Sequence, residues 1–84
     1  MNTKLEDRAL AKLARTSFVR TVLDVGELQV HCVDGYVELS GKVRAPRGHK
    51  GDINFKKEME ALKLHIRALR GVRDVYDNRV LIIQ

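Results

Sequence analysis

The side chains able to do nucleophilic or metal chemistry are few: one cysteine, Cys32, and three histidines, His31, His49 and His65. A Cys-His couple needs thiol and imidazole within hydrogen-bond reach. His31 and Cys32 are neighbours in a stretch of period-two hydrophobicity, and adjacent residues of a strand point to opposite faces, so they serve neither a couple nor a shared metal. His65 lies at the edge of a helical apolar stripe, the ordinary place for a half-buried histidine. Glu58 and Glu60 flank Met59 and diverge around the same helix, so they are not a carboxylate pair. The sequence holds no H-x-x-x-H, C-x-x-C, nucleophile elbow or phosphate-binding P-loop. The expectation is a non-enzyme with no catalytic residue, metal or cofactor.

Binding chemistry is better represented. Net charge is +5, and its distribution is uneven. Residues 1–41 hold five Lys/Arg against six Asp/Glu, residues 42–51 hold four against none, and residues 52–84 hold seven against five. The middle stretch, Lys42-Val43-Arg44-Ala45-Pro46-Arg47-Gly48-His49-Lys50-Gly51, also contains the only proline. It reads as a mobile basic loop inserted at about 44–53. Lys42, Arg44, Arg47 and Lys50, joined by His49 when protonated, suit anionic lipid headgroups, each cation contributing about 1 kcal/mol near such a surface. Gly48-His49-Lys50-Gly51 also matches the G-x-x-G loop that clamps a nucleic-acid backbone. That loop joins two helices, whereas strand and proline precede Gly48. The aromatics are only Phe18, Tyr36, Phe55 and Tyr76, too few for base stacking. Single-stranded RNA is therefore the weaker rival.

An 84-residue chain forms one small core. With 44% hydrophobic and 32% charged residues it has an ordinary globular composition. A lone cysteine closes no internal disulfide, so the fold stands on packing. No apolar segment follows the polar start, and the longest aliphatic run is Val80-Leu81-Ile82-Ile83. As written the chain reads as cytoplasmic, while a domain excised from a longer exported protein, periplasmic or membrane-associated, has the same features.

Leu5, Ala9, Leu10, Leu13 and Ala14 recur at helical spacing behind a cap at Asn2 or Thr3. Thr16-Ser17 can end this helix, or Phe18, Val22 and Val25 can continue it as far as Gly26. From Leu28 the period becomes two, and Asp34-Gly35 signals a tight hairpin into Val37, Leu39, Gly41 and Val43. Asp52 or Asn54 caps a second helix carrying Phe55, Met59, Leu62, Ile66 and Leu69, with Gly71 as its C-cap. Val72 and Val75 then lead through a turn at Asp77-Asn78 to a last strand, Arg79 to Ile83. The order helix-strand-strand-helix-strand predicts an α/β fold, an α+β two-layer sandwich. In it two helices cover one face of a three-stranded mixed sheet. Whether the third strand pairs with the first or the second stays open.

The run Leu28-Gln29-Val30-His31-Cys32-Val33-Asp34-Gly35-Tyr36-Val37-Glu38-Leu39-Ser40-Gly41-Lys42-Val43, followed after a helix by Gly71-Val72-Arg73-Asp74-Val75-Tyr76-Asp77-Asn78-Arg79-Val80, resembles the BON domain. This is a small bacterial module of osmotic-stress, nodulation-associated and membrane-associated proteins. The resemblance implies a single BON-like domain over residues 1–84 that binds phospholipid or attaches to partners without catalysis. The stretch between Gly41 and Gly71 is longer than that pattern usually has, and the surplus is the basic loop. Of the matching residues, Gly35, Gly41, Gly71 and Asn78 have structural readings: a turn, a close approach, a helix stop and a turn.

The last strand is apolar on both sides, Val80 and Ile82 one way, Leu81 and Ile83 the other. Either the strand lies centrally or curls, with its outer side partly shielded by a terminus, or that outer side is a docking face. With Val33, on the outward parity of its own strand, Leu81 and Ile83 form a candidate apolar docking face for a neighbouring domain, a second copy or a bilayer.

Overall fold

The computed structural model describes residues 3–83. Helix α1 (Thr3–Thr16) is followed by one 3₁₀ turn (Ser17–Arg20), strands β1 (Asp24–Val33) and β2 (Tyr36–Arg44), helix α2 (Phe55–Arg67) and strand β3 (Asp74–Ile83). The sheet order is β1-β2-β3. The hairpin β1/β2 is antiparallel, while β3 lies parallel to β2. Both helices pack on one face, giving the expected two-layer α+β arrangement. β2 is thus the central strand and β3 an edge strand, so the apolar outer side of β3 does not come from a central position.

Alternation in β2 decides the layers. Val37, Leu39 and Val43 are fully buried toward the helices, and Tyr36, Glu38, Ser40, Lys42 and Arg44 take the opposite parity. From α2 the buried residues are Met59, Leu62 and Ile66, with Phe55 and, just beyond the helix, Leu69 packed at the cluster's edge. Burying each such side chain contributes about 1.5–3 kcal/mol. Ala14 and Leu10 of α1, Leu23, Leu28 and Val75 complete the core.

Two alternatives left open by the sequence, the end of α1 and the cap of α2, are decided, and several other expectations are corrected. α1 stops at Thr16, where the Thr16 and Ser17 hydroxyls donate back to the Leu13 carbonyl. The chain then makes a 3₁₀ turn instead of a longer helix. β1 starts at Asp24 rather than Leu28, and between Asp24 and Glu27 it carries one more residue than β2 opposite. Gly41 fits that bulge: its φ is +108°, and a Cβ there would run into the Glu27 carbonyl oxygen. Asn54 is the cap of α2, its Oδ1 accepting the Lys57 N–H at 3.0 Å. Asn2, the other candidate first cap, lies outside the described residues.

α2 ends at Arg67, and an i,i+3 bond from Leu69 N–H to the Ile66 carbonyl tightens the chain. Gly71, φ +96°, therefore turns the α2–β3 connection and is not the helix C-cap. Asn78 is not in a turn. β3 runs unbroken from Asp74, with an irregular register between the pairs Glu38↔Tyr76 and Ser40↔Arg79. The extra residue at Asp77-Asn78 lets Val75 and Val80, on opposite parities of a regular strand, both pack on the core. Asp77 is tied to the helix layer by Lys63, whose Nζ lies 3.3 Å from Asp77 Oδ1 and 3.3 Å from Glu60 Oε1. Burial pulls the Lys63 ammonium down, but these two carboxylates together outweigh it and its pKa is raised.

Candidate functional site

α1 and α2 run in opposite directions along the sheet and define two ends. At the hairpin end, Asp7 of α1 reaches the tip of the β1/β2 hairpin. Its Oδ2 accepts the Asp34 N–H at 3.0 Å and its Oδ1 accepts the Gly35 N–H at 3.2 Å. Asp34 itself adopts φ +52° and Gly35 φ +84°, the left-handed conformation that a tight hairpin needs. The Gly35 carbonyl accepts the Arg73 N–H at 2.8 Å, joining the α2–β3 connection to the same tip. The Arg73 guanidinium stands 5.8 Å from the Tyr36 ring centroid, and Tyr36 stacks on Tyr76 at 6.2 Å.

Between these segments opens a groove of about 810 Å³ walled by Glu6, Asp7, Leu10, Tyr36, Arg70 and Arg73. Its most placed carboxylate is committed to the fold. The Asp34 N–H bond, above all, holds Asp7 below the usual aspartate value, and the Gly35 N–H adds to this. The Cys32 thiol, 3.6 Å from Asp7 Oδ1, is pushed up by burial and by that carboxylate, so it stays protonated and is a weak nucleophile. His31 and Cys32 sit on opposite parities of β1, as their adjacency requires. His65 is exposed on α2. Among the described residues no three of His, Cys, Asp and Glu are grouped to hold a metal ion.

The opposite end is built from the 3₁₀ turn, the C-terminal ends of β2 and β3, and residues 45–54, which join β2 to α2. Arg44 Nε lies 3.0 Å from Glu27 Oε2, so one of the five loop cations is paired. Among the described residues no carboxylate bridges Lys42, Arg47, His49 or Lys50, and all four are exposed. The loop holds itself by a bond from His49 N–H to the Pro46 carbonyl at 3.0 Å, and Gly48 and Gly51 have only open space around them. Since this loop joins a strand to a helix, the Gly48-His49-Lys50-Gly51 run lacks the two flanking helices of a G-x-x-G clamp.

Sequence reading found Leu81 and Ile83 at this end but missed two exposed valines. Val19 and Val22 are 87% and 60% exposed, because the chain leaves the α-helix at Thr16 and turns them outward. Arg20 lies between them and is exposed. Of the two helix ends the sequence left open, the structure takes Thr16-Ser17, whose hydroxyls bond a carbonyl and stop the stripe that Val22 was read into.

The three docking-face candidates do not form one patch. Leu81, 57% exposed, and Ile83 lie opposite Lys42 and Arg44 at the loop end. Val33 pairs with Tyr36 at the hairpin end, about 20 Å away at about 3.3 Å per strand residue. Comparison with protein-family models, curated proteins and solved structures gave no significant match. Likeness to the BON domain therefore rests on the order of motifs along the chain.

Proposed function

We propose that this domain is a non-catalytic attachment module that docks its loop end on an anionic phospholipid surface. One observation supports it most: exposed aliphatic residues, Val19, Val22 and Leu81, share an end of the molecule with Lys42, Arg47, His49 and Lys50. Cations that reach headgroups beside aliphatic side chains that reach the acyl boundary are what a monotopic surface binder needs. Anchoring by a span is not part of the reading, since among the described residues no helix is long and apolar enough to cross a membrane. The BON resemblance points the same way.

Co-sedimentation with phosphatidylglycerol vesicles, against phosphatidylcholine vesicles, is the test. The protein is expected on the anionic vesicles alone and to leave them as salt rises. Reversing two cations in Arg47→Glu/Lys50→Glu removes at least about 2 kcal/mol, about thirtyfold in partitioning. Equal binding to both vesicle types, or none to either, overturns the proposal. Retention by single-stranded RNA that the same variant abolishes would transfer the loop to the nucleic-acid reading.

A further inference from the structure

We infer that the helix-free face of the sheet is a self-complementary surface on which a second copy of this chain docks with its strands reversed. The outer row of the central strand sets the pattern. Tyr36, Glu38, Ser40, Lys42 and Arg44 face away from the helices in that order. Aromatic and acidic groups occupy the hairpin half, cationic groups the loop half. Two sheets that stack face to face with two-fold symmetry have two aligned arrangements. With strands running the same way, Glu38 meets Glu38 and Lys42 meets Lys42. With strands reversed about an axis over Ser40, Glu38 of each copy meets Lys42 of the other, and Tyr36 meets Arg44.

The flanking strands agree at the level of Glu38 and Lys42. On β3, Tyr76 is level with Glu38 and Leu81 with Lys42, so reversal sets the Tyr76 ring against Leu81, which are 45% and 57% exposed. On β1, His31 is level with Glu38 and Glu27 with Lys42, so reversal also sets His31 against Glu27. At the ends of the same rows the apolar residues meet carboxylates, Val33 against Asp24 and Ile83 against Asp74, so the attraction is concentrated in the Glu38–Lys42 and Tyr76–Leu81 pairs on either side of the axis. Arg79, next to the axis, is 72% exposed and 3.7 Å from Glu38 of its own chain, which offsets its approach to its symmetry mate.

The face is about 10 Å across its three strand axes and about 27 Å long, below the standard interface size. The dimer is therefore weak, with an expected Kd of about 10–100 µM. It does not depend on lipid binding and is tested without lipid. Lys42 serves both surfaces, so the dimer and the membrane-bound chain exclude one another there.

Sedimentation equilibrium from about 1 µM to about 1 mM spans the expected range. Wild type is expected to dimerise, and to do so about tenfold more weakly when salt is raised well above physiological strength. Glu38→Lys and Lys42→Glu each convert both symmetry-related attractions into repulsions and are expected to weaken dimerisation at least tenfold. Mixed in equal amounts they restore it. The heterodimer sets the introduced lysine of one chain against the introduced glutamate of the other, and on the far side of the axis it keeps the native attraction between Lys42 and Glu38. Far-ultraviolet circular dichroism confirms that each variant folds, and the salt series on wild type stands without them. A wild type that stays monomeric at about 1 mM, single variants that dimerise as wild type does, or a mixture that stays monomeric overturns the inference.

Discussion

The two ends of the sheet are made from similar residues and held in opposite ways. Each has left-handed glycines, exposed arginines and the end of a helix. At the hairpin end three distant segments converge: the Asp7 carboxylate on Asp34 and Gly35, the Gly35 carbonyl on Arg73, and Leu10 over Gly71. At the loop end the ties are local, a Pro46–His49 turn and the Arg44–Glu27 pair across one hairpin. Backbone closure commits the polar groups of the first end to the fold. The second leaves its cations and valines to solvent, and so available to a partner.

The sharpest test of this contrast exchanges glycine for alanine at each end. Gly35 has φ +84°, and a Cβ there would lie 2.7 Å from the Gly71 carbonyl oxygen, a backbone atom that cannot step aside alone. Gly35→Ala adds that clash to the conformational strain and is expected to cost about 3 kcal/mol or more. Gly48, φ +77°, has no neighbour within 4 Å, so Gly48→Ala costs only the conformational strain, about 1 kcal/mol. Denaturant unfolding of both variants measures the difference, and equal losses would show that the hairpin end is no more constrained than the loop.

Leucines give a second comparison of smaller size. Leu10 is 8% exposed and would touch a Cβ at Gly71 at 3.4 Å, so Leu10→Ala is expected to cost about 2–3 kcal/mol through lost burial and a cavity. Leu81 is more than half exposed, and Leu81→Ala is expected to change stability by less than about 0.5 kcal/mol. For an 84-residue domain each kcal/mol shifts the melting temperature by about 4–8 °C, so thermal unfolding separates the two.

Acid should loosen the hairpin end selectively. The folded Asp7 pKa lies below its usual 3.8, so its ionised form is favoured by folding. Its contribution is complete above the unfolded value and is lost as pH falls from about 4 through the lower folded value. Asp7→Asn loses the charge and one of the two acceptor oxygens. The melting temperature of wild type is therefore expected to exceed that of Asp7→Asn near neutral pH, and the gap to close as pH falls below about 4. A gap that stays constant through the acid range would show that the Asp7 charge does not hold the tip.

What could be read in advance follows the same division between local and distant causes. The hairpin, the α2 stripe and the inward set Val37, Leu39 and Val43 are periodic over a few residues, so the sequence displays them. The β3 start was misplaced because Val75 and Val80 are five apart. That spacing breaks a period of two and looks like a turn unless a bulge absorbs one residue. The Asp7 anchor was invisible because its partners are 27 and 28 residues away and its own position reads only as an acid in the first turn of a helix. At the loop end the cations formed a visible run. Of their apolar companions Leu81 was visible in the aliphatic run of β3, whereas Val19 and Val22 were not, since they reach that end only after α1 stops at Thr16.

Removal of the loop itself is also expected to have only a small effect on stability. Replacing residues 46–51 by a two-residue Gly-Ser link shortens the connection but keeps Ile53, which packs against the core, and the Asn54 cap. Loop-closure entropy depends only logarithmically on length, so stability should move by less than about 1 kcal/mol. The hydrogen-bonded hairpin end, at the other end of the sheet, should keep its amide protection in hydrogen exchange. Binding to anionic vesicles, by contrast, should fall by at least as much as in Arg47→Glu/Lys50→Glu, since the excision takes both cations. If excision unfolded the domain or stripped protection from Asp34 and Gly35, the two ends would be coupled, and the loop would belong to the framework rather than to the partner.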